Sequence, residues 1–294
     1  MPVPNDIVWE SVIVGGGPAG LAAGLHLARA GYRALLVEQD RLGGQARLLG
    51  RIENYPGFPS GIDGRRLMDR WVRQARRWGL RTRRAQVRGV GRHGRGFVLR
   101  LQGGRLLRSR TVVYCPGAEF KGLGISGEGR LRGRGLFHAA FDRPSRWRGR
   151  TVVVAGGGEA AVHQALALAR QARRVYLVCR AGSIKAHRLL CRRLGETARI
   201  VLILGATICR LQGRRRLEAL EIAGRDGSLR LAADALFVLV GKVPAALPFS
   251  AGRLPPGFFV AGDASGDADR QVAVAAGSGI KAAMRCIDFL EDWI

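Results

Sequence analysis

Two segments of the chain share one pattern of apolar and polar positions. Each begins with an apolar run rich in β-branched residues, continues through three glycines, and ends with apolar residues at helical spacing; the segments begin VIVGGGPAG and TVVVAGGGEAA. A short β-branched run predicts a buried strand, and apolar residues three or four positions apart predict a helix. The pattern therefore predicts two strand–turn–helix units and an α/β fold.

The glycines of both segments have the spacing of a dinucleotide-binding loop. The first glycine of such a loop permits a tight turn, the second lets the backbone approach a pyrophosphate, and the third lets the helix pack on the sheet. The anion then lies at the positive N-terminus of the helix. Because strand, glycines and helix coincide twice, we expect two nucleotide sites. The predicted contacts are Gly15, Gly17, Pro18, Ala19 and Gly20 in the first copy, and Gly156, Gly158, Glu159 and Ala161 in the second.

The residue that ends the next apolar run separates the two sites. Glu38 and Cys179 each follow the first glycine of their copy by 23 positions. A carboxylate at this place accepts hydrogen bonds from an unphosphorylated ribose, as in FAD, whereas basic residues favour a 2′-phosphate. We therefore predict FAD at the first site and NADPH at the second, where Arg180 and Lys185 supply positive charge. The alternative is that these two are ordinary solvated residues of an arginine-rich chain.

Composition bounds the class of protein. The 294 residues suit two domains with separate cores. No apolar run approaches the roughly 20 residues of a membrane span, and the N-terminus lacks the basic start of a signal peptide, so we expect a cytoplasmic protein without a membrane span. The cysteines have neither CxxC nor zinc-ligand spacing, so we predict reduced thiols and no metal, although Cys191 or Cys209 could still pair in the fold. They are Cys115, Cys179, Cys191, Cys209 and Cys286.

The net charge of +27 comes almost entirely from arginine. Such a surface attracts an acidic partner, although a merely soluble basic surface is the alternative. The segment 65–84 has an arginine face and an apolar face that includes Trp71 and Trp78. We expect both tryptophans in the core and therefore no nucleic-acid binding, while the arginine face can dock a protein.

Two long segments resemble one family. The segments GGQARLLGRIENYPGFPSGIDGRRLMD and FFVAGDASGDADRQVAVAAGSG are similar to the FAD-binding motifs of low-molecular-weight thioredoxin reductases, within the pyridine nucleotide-disulfide oxidoreductase family. The resemblance implies two interleaved Rossmann-like three-layer nucleotide-binding domains and a homodimer. The FAD-binding domain would comprise residues 1–116 and 246–294, with an inserted NAD(P)H-binding domain at 117–245. The further contacts that it implies are Gly44, Gln45, Asn54, Gly117, Gly262, Asp263, Arg270, Gln271 and Val272 with FAD, and Gly241 with NADPH.

The chain departs from that family where the family has its redox disulfide. The motif C-A-T-C-D is replaced by His138-Ala139-Ala140-Phe141-Asp142. Dithiol exchange needs one thiolate to attack and a second to resolve, and neither histidine nor phenylalanine can do either. The other departures are Cys115-Pro116-Gly117 in place of A-T-G, a partial NADPH motif at 179–185, and a shortened segment between Gly241 and Gly262.

These features predict an FAD-dependent oxidoreductase that takes a hydride from NADPH and passes electrons to an external acceptor. An acidic ferredoxin- or flavodoxin-like protein would suit the basic surface. His138 and Asp142 are candidate proton donors to the acceptor, or else a core histidine and a turn residue. Trp293 could stack on the flavin. The alternatives are a ferredoxin-reduced or non-turnover flavoprotein with a redox-sensing role, and a disulfide reductase that uses cysteines from elsewhere.

Overall fold

A computed structural model of the chain describes residues 8–138, 144–225, 227–249 and 254–293. The chain divides into two units: residues 1–119 with 244–294 form the first, and residues 120–243 form the second. Asp142, one of the predicted proton donors, lies outside the described residues. The assignment of the units to FAD and to NAD(P)H stays a prediction.

The chain forms six α-helices and nineteen strands within its described residues. The helices are α1 (Pro18–Arg29), α2 (Gly64–Arg77), α3 (Glu128–Leu131), α4 (Glu159–Ala169), α5 (Arg188–Gly195) and α6 (Val272–Glu291). The strands are β1 (Val8–Val14), β2 (Ala34–Glu38), β3 (Arg51–Ile52), β4 (Ile62–Asp63), β5 (Arg81–Arg84), β6 (Val87–His93), β7 (Gly96–Leu101), β8 (Leu106–Tyr114), β9 (Ala118–Phe120), β10 (Leu136–Phe137), β11 (Thr151–Ala155), β12 (Arg174–Cys179), β13 (Ile200–Leu204), β14 (Thr207–Gln212), β15 (Ala219–Gly224), β16 (Gly227–Ala232), β17 (Ala235–Val238), β18 (Lys242–Pro244) and β19 (Phe258–Val260).

The first unit is built on a seven-stranded sheet in the order β5-β2-β1-β8-β7-β6, with β19 pairing to β8. Strands β5, β2, β1, β8 and β19 are parallel, and β7 and β6 continue β8 as an antiparallel meander. Alternate residues of β1 point to opposite faces: Ile13 packs against helices, whereas Val12 and Val14 pack against the meander. The unit therefore has three layers, with helices on one face of the parallel sheet and antiparallel strands on the other.

The second unit repeats this arrangement. Its parallel sheet has the order β10-β17-β11-β12-β13, and β14-β15-β16 form a separate antiparallel sheet. Val152 and Val154 of β11 face α4 and α5, while Val153 faces the antiparallel sheet. Both units therefore have the predicted α/β architecture, and the two helices expected after the glycine loops are confirmed as α1 and α4.

One of the predictions about tryptophans is wrong. Trp78 is 49% exposed, because it follows the last turn of α2 as the C-cap residue and leaves the apolar stripe there; the guanidinium carbon of Arg29 lies 5.8 Å from its ring centroid. Trp293 follows the C-terminal end of α6, a helix of 20 residues and about 30 Å, and packs 5.6 Å from Phe289. Trp293 thus lies at the opposite end of α6 from Val272, and its stacking on a flavin stays a prediction.

Helices α1 and α6 approach closely at Gly279. A Cβ at this position would overlap the backbone oxygen of Ala19, whereas a Cβ at Gly277 of the same helix would meet nothing within 4 Å. We expect Gly279→Ala to destabilise the protein by about 1–3 kcal/mol, because the backbone of α1 must move. Gly277→Ala is the matched control and should stabilise it by up to about 1 kcal/mol through helix propensity. Urea unfolding of both variants tests this prediction, which is wrong if the two alanines have equal effects.

Candidate nucleotide-binding sites

The first glycine loop connects β1 to α1. Gly15 has φ +100°, and a Cβ there would overlap the backbone oxygen of Cys115. Its N–H donates to the backbone oxygen of Val37 at 2.9 Å. A Cβ at Gly20 would overlap the oxygen of Gly15, so only glycine lets the helix begin this close to the turn.

The second loop, between β11 and α4, has the same geometry. Gly156 has φ +139°, a Cβ there would overlap the backbone oxygen of Leu239, and its N–H donates to the oxygen of Val178 at 2.9 Å. Ala161 takes the place of the third glycine, and its Cβ lies 3.1 Å from the position that a Cβ on Gly156 would occupy. The pattern in the sequence thus corresponds to two loops of one construction.

Both loops fit a pyrophosphate. Gly17 and Gly158 are the N-cap residues of α1 and α4, and neither helix has a side-chain cap. A Cβ on either glycine would meet nothing within 4 Å, so there is open space in front of each helix N-terminus. N–H groups of a first helical turn that no side chain satisfies bind anions, and the helix dipole adds to the attraction.

The strand-end residues differ as predicted from the sequence. Glu38 accepts hydrogen bonds from the N–H of Gly16 (2.6 Å) and of Asp40 (2.9 Å). An ionised carboxylate accepts about four hydrogen bonds, so it retains capacity for ribose hydroxyls. In the second loop, Cys179 is buried and its Sγ lies where a Cβ of Gly157 would be. The second site therefore has a small uncharged side chain where the first has a fixed carboxylate.

The remaining residues predicted to contact FAD include two glycines that lie against the start of α1. Gly44 lies against Gly17, since a Cβ on Gly44 would be 3.0 Å from the Cα of Gly17, and a Cβ on Gly262 would be 2.8 Å from the Cβ of Ala19. Asn54 donates to Gln271, 217 positions away in the chain. Gln45 donates to the oxygen of Ala118, next to Gly117. Asp263 lies in the short 3-10 helix that Gly262 begins, and Arg270 and Val272 flank Gln271 at the start of α6.

The basic residues predicted for NADPH lie in the loop after β12. The side chains of Arg180 and Lys185 are exposed, and the N–H of Lys185 donates to the oxygen of Gly157 at 2.8 Å. Gly241 lies between β17 and β18 with φ +111°. Its backbone oxygen accepts a hydrogen bond from the backbone N–H of Lys121. The loop is thus attached to the glycine turn, and its two cationic side chains are exposed.

His138 is held by an aromatic stack. Its ring lies 5.3 Å from that of Phe120 at an angle of 16°, and the ammonium of Lys242 lies 4.9 Å from the centroid of the same phenylalanine. Nδ1 lies 3.1 Å from the backbone oxygen of Val238, which is an acceptor, so Nδ1 carries the proton and Nε2 of the neutral ring has a lone pair. Nε2 is buried and has no hydrogen-bond partner among the described residues.

The five cysteines, all within the described residues, form no disulfide. Burial raises the pKa of Cys115 to about 12, and burial also raises the pKa of Cys286. Only Cys209 is exposed. A buried thiol with a raised pKa is a poor nucleophile. No group of three metal-ligating side chains occurs in the part of the chain that the structure describes, and no helix there is long and apolar enough to cross a membrane.

Sequence reasoning missed the residues that close the two loops. Gly43 donates from its N–H to the oxygen of Gly16, and Ser278 Oγ accepts from the N–H of Gly262. His187 contacts Glu159 beside the second loop. A hydrogen bond between backbone atoms does not constrain the side chain, so the sequence does not reveal it. The only clue in the sequence was the pair Gly43-Gly44, of which Gly43 has φ +107°.

The chain is similar to known proteins in both sequence and fold. Residues 9–275 match the pyridine nucleotide-disulphide oxidoreductase family. The chain is 32% identical over 302 residues to the bifunctional thioredoxin reductase/thioredoxin of Mycobacterium leprae, covering 96% of this chain and 66% of that protein. It is 29% identical to the thioredoxin reductase of Listeria monocytogenes, covering 98% and 96%.

The fold is also that of a solved thioredoxin reductase. The crystal structure of the Lactococcus lactis enzyme superimposes with a TM-score of 0.91 at 25% identity, over 97% of this chain and 99% of that one. The T. acidophilum thioredoxin reductase, at 23% identity and a TM-score of 0.87, supports the fold. With the two glycine loops and the three-layer units, these matches show that the chain belongs to the pyridine nucleotide-disulphide oxidoreductase family and resembles its thioredoxin reductases.

Proposed function

We propose that this protein is an FAD-dependent oxidoreductase that takes a hydride from NADPH and passes electrons to an external acceptor without a redox disulfide of its own. The observation that carries the proposal is the duplicated glycine loop, with a fixed carboxylate in the first copy and a buried cysteine beside exposed cations in the second. Family membership supports FAD and NADPH as the two cofactors.

The chain's own residues would bind and orient these cofactors. The uncapped N-termini of α1 and α4 would hold the two pyrophosphates, and Glu38 would accept from the adenosine ribose of FAD. Arg180 and Lys185 would pair with the 2′-phosphate of NADPH. When bound, the flavin supplies the hydride-accepting chemistry, and the protein contributes position and electrostatics.

A dithiol route through this chain is not part of the proposal. His138 stands where the family has its first redox cysteine. None of the five cysteines forms a disulfide bond with another. Two of these thiols are buried with raised pKa values, which disfavours the thiolate that exchange requires. In this proposal, electrons leave the flavin directly to an acceptor that reaches it. The cytoplasmic location stays a prediction.

We further propose that the acceptor is an acidic electron-transfer protein. The outer face of α2 carries six exposed arginines, while Asp69 on the same helix is paired with Arg47. These arginines are Arg65, Arg66, Arg70, Arg73, Arg76 and Arg77. A surface of one sign steers an oppositely charged protein and makes association depend on salt. The predicted homodimer remains part of this proposal.

His138 is the proposed proton donor where the acceptor needs a proton. The bond from Nδ1 to Val238 fixes the tautomer, and the stack on Phe120 fixes the ring. Nε2 then is the atom that can take up and release a proton. Asp142, the other candidate, keeps its proposed role on sequence grounds alone.

Anaerobic mixing with NADPH, and separately with NADH, tests the proposal through the visible absorbance of the oxidised flavin. We expect rapid bleaching that prefers NADPH, followed by reoxidation when an acidic electron-transfer protein is added. If neither nucleotide bleaches the flavin while dithionite does, the NADPH-linked function is wrong and a ferredoxin-fed or regulatory flavoprotein takes its place.

A further inference from the structure

The two glycine loops are closed by the same backbone hydrogen bond. The N–H of Gly43 donates to the oxygen of Gly16 (2.6 Å), and the N–H of Lys185 donates to the oxygen of Gly157 (2.8 Å). Gly16 and Gly157 are the middle glycines of their loops. The segment after the second strand therefore folds back on each loop at the same place, so the two copies can be compared beyond the glycine motif.

His187 takes the place in the second copy that Gln45 takes in the first. Each lies two residues after the amide that closes its loop. Gln45 is one of the residues expected to contact FAD. The internal comparison thus places His187 at the second nucleotide site. Its side chain is 78% exposed and therefore accessible to a ligand.

The two helices that follow the loops begin differently. The first helical residue is Pro18 in α1 and Glu159 in α4. A carboxylate at a helix N-terminus is favoured by the helix dipole, and there it competes with the pyrophosphate for the same positive end. The second loop therefore carries a negative charge that opposes its own ligand, whereas the first loop carries none at this position.

His187 holds that carboxylate. Its Nε2 lies 2.6 Å from Oε1 of Glu159, and an imidazole N–H can donate here from the neutral ring or from the cation. We propose that Glu159 and His187 form a positioning pair for NADPH, in which His187 draws the carboxylate away from the pyrophosphate position by a hydrogen bond. This inference rests on the proposed use of NADPH and adds His187 to that site.

The effect of the pair on nucleotide affinity differs from the effect of the residues that would recognise the 2′-phosphate. The pyrophosphate is common to NADPH and NADH, so the pair acts on both nucleotides equally. Arg180 and Lys185, in contrast, would act on the phosphorylated nucleotide alone. The exposed pair adds little to folding stability, so its loss should leave the unfolding midpoint near that of the wild type.

Calorimetric titration of NADP⁺ and NAD⁺ into the FAD-loaded protein tests the inference. His187→Ala is expected to weaken the binding of both nucleotides by roughly three- to tenfold, since the carboxylate of Glu159 is then no longer held away from the pyrophosphate. His187→Gln, whose amide can still donate to Glu159, is expected to restore much of the affinity. The loss caused by His187→Ala is expected to disappear in the Glu159→Gln background, so Glu159→Gln and Glu159→Gln/His187→Ala should bind each nucleotide with equal affinity. Lys185→Gln is the matched control and should weaken NADP⁺ alone.

The comparison of His187→Ala in the wild type and in the Glu159→Gln background decides whether His187 acts through Glu159. If His187→Ala leaves both affinities unchanged, or weakens them as much in the Glu159→Gln background as in the wild type, His187 does not act through Glu159 and the inference is wrong. A wild-type protein that binds neither nucleotide overturns the proposed NADPH site itself, together with this pair. Binding by the wild type with additive effects in the double variant overturns the pair alone.

Discussion

Gly15→Ala is expected to yield little folded flavoprotein, whereas Gly17→Ala is expected to fold normally and to lose FAD. Gly15 has φ +100°, and its Cβ would overlap the backbone oxygen of Cys115. The left-handed conformation costs an alanine about 1–2 kcal/mol. The overlap with backbone adds about 1–3 kcal/mol, because strand β8 must move relative to β1. The sum is a large part of the roughly 5–15 kcal/mol that stabilises a domain.

Gly17 is the matched control, because it belongs to the same loop and has none of these constraints. Its φ is −73°, and a Cβ would meet nothing within 4 Å in the protein alone. Any loss of FAD on Gly17→Ala therefore reports the space that the pyrophosphate needs. The measurements are the flavin-to-protein absorbance ratio and the urea midpoint of the flavin-free protein. Full FAD retention by Gly17→Ala would show that the pyrophosphate does not lie at the start of α1.

The sequence predicted these loops well because each glycine position in them is set by a local steric requirement. A glycine that must have positive φ, or must let a helix approach a strand, is visible as a glycine at fixed spacing, as at Gly15 and Gly156. The uninterrupted apolar run of Val12, Ile13 and Val14 likewise predicted a buried strand, and in the structure this strand is buried on both faces. Local pattern and fold agree at these positions, as expected of a sequence that specifies one structure.

Other features depend on contacts that the local pattern does not contain. Trp78 lies on the apolar stripe of its helix by periodicity, but the helix ends before it and its ring is exposed. The closures by Gly43 and Lys185 use backbone atoms, which every residue has. The contact between Glu159 and His187 joins residues that only the fold brings together. Tertiary geometry, not propensity, decides such cases.

Cys179→Glu is expected to reverse the nucleotide preference of the second site. In the first copy, the carboxylate of Glu38 accepts from Gly16 at 2.6 Å, and Cys179 stands at the same position relative to Gly157. A glutamate there is expected to accept from the N–H of Gly157 and from the ribose hydroxyls of NADH, each such bond contributing about 1–2 kcal/mol. It would repel the 2′-phosphate of NADPH by about 1 kcal/mol or more. Together these effects predict a shift of about 100-fold in the ratio of the NAD⁺ and NADP⁺ dissociation constants.

Cys179→Gln separates the charge from the size of the new side chain. Cys179 is buried and its Sγ lies 3.7 Å from the oxygen of Ser183, so either longer side chain must displace the loop that carries Arg180 and Lys185. That displacement is common to both variants, whereas the charge is present only in the glutamate. We therefore expect glutamine to weaken both nucleotides with little change in their ratio, and glutamate alone to invert it. Equal ratios in the two variants would mean that position 179 does not face the ribose, and that the preference for NADPH rests on the loop cations instead.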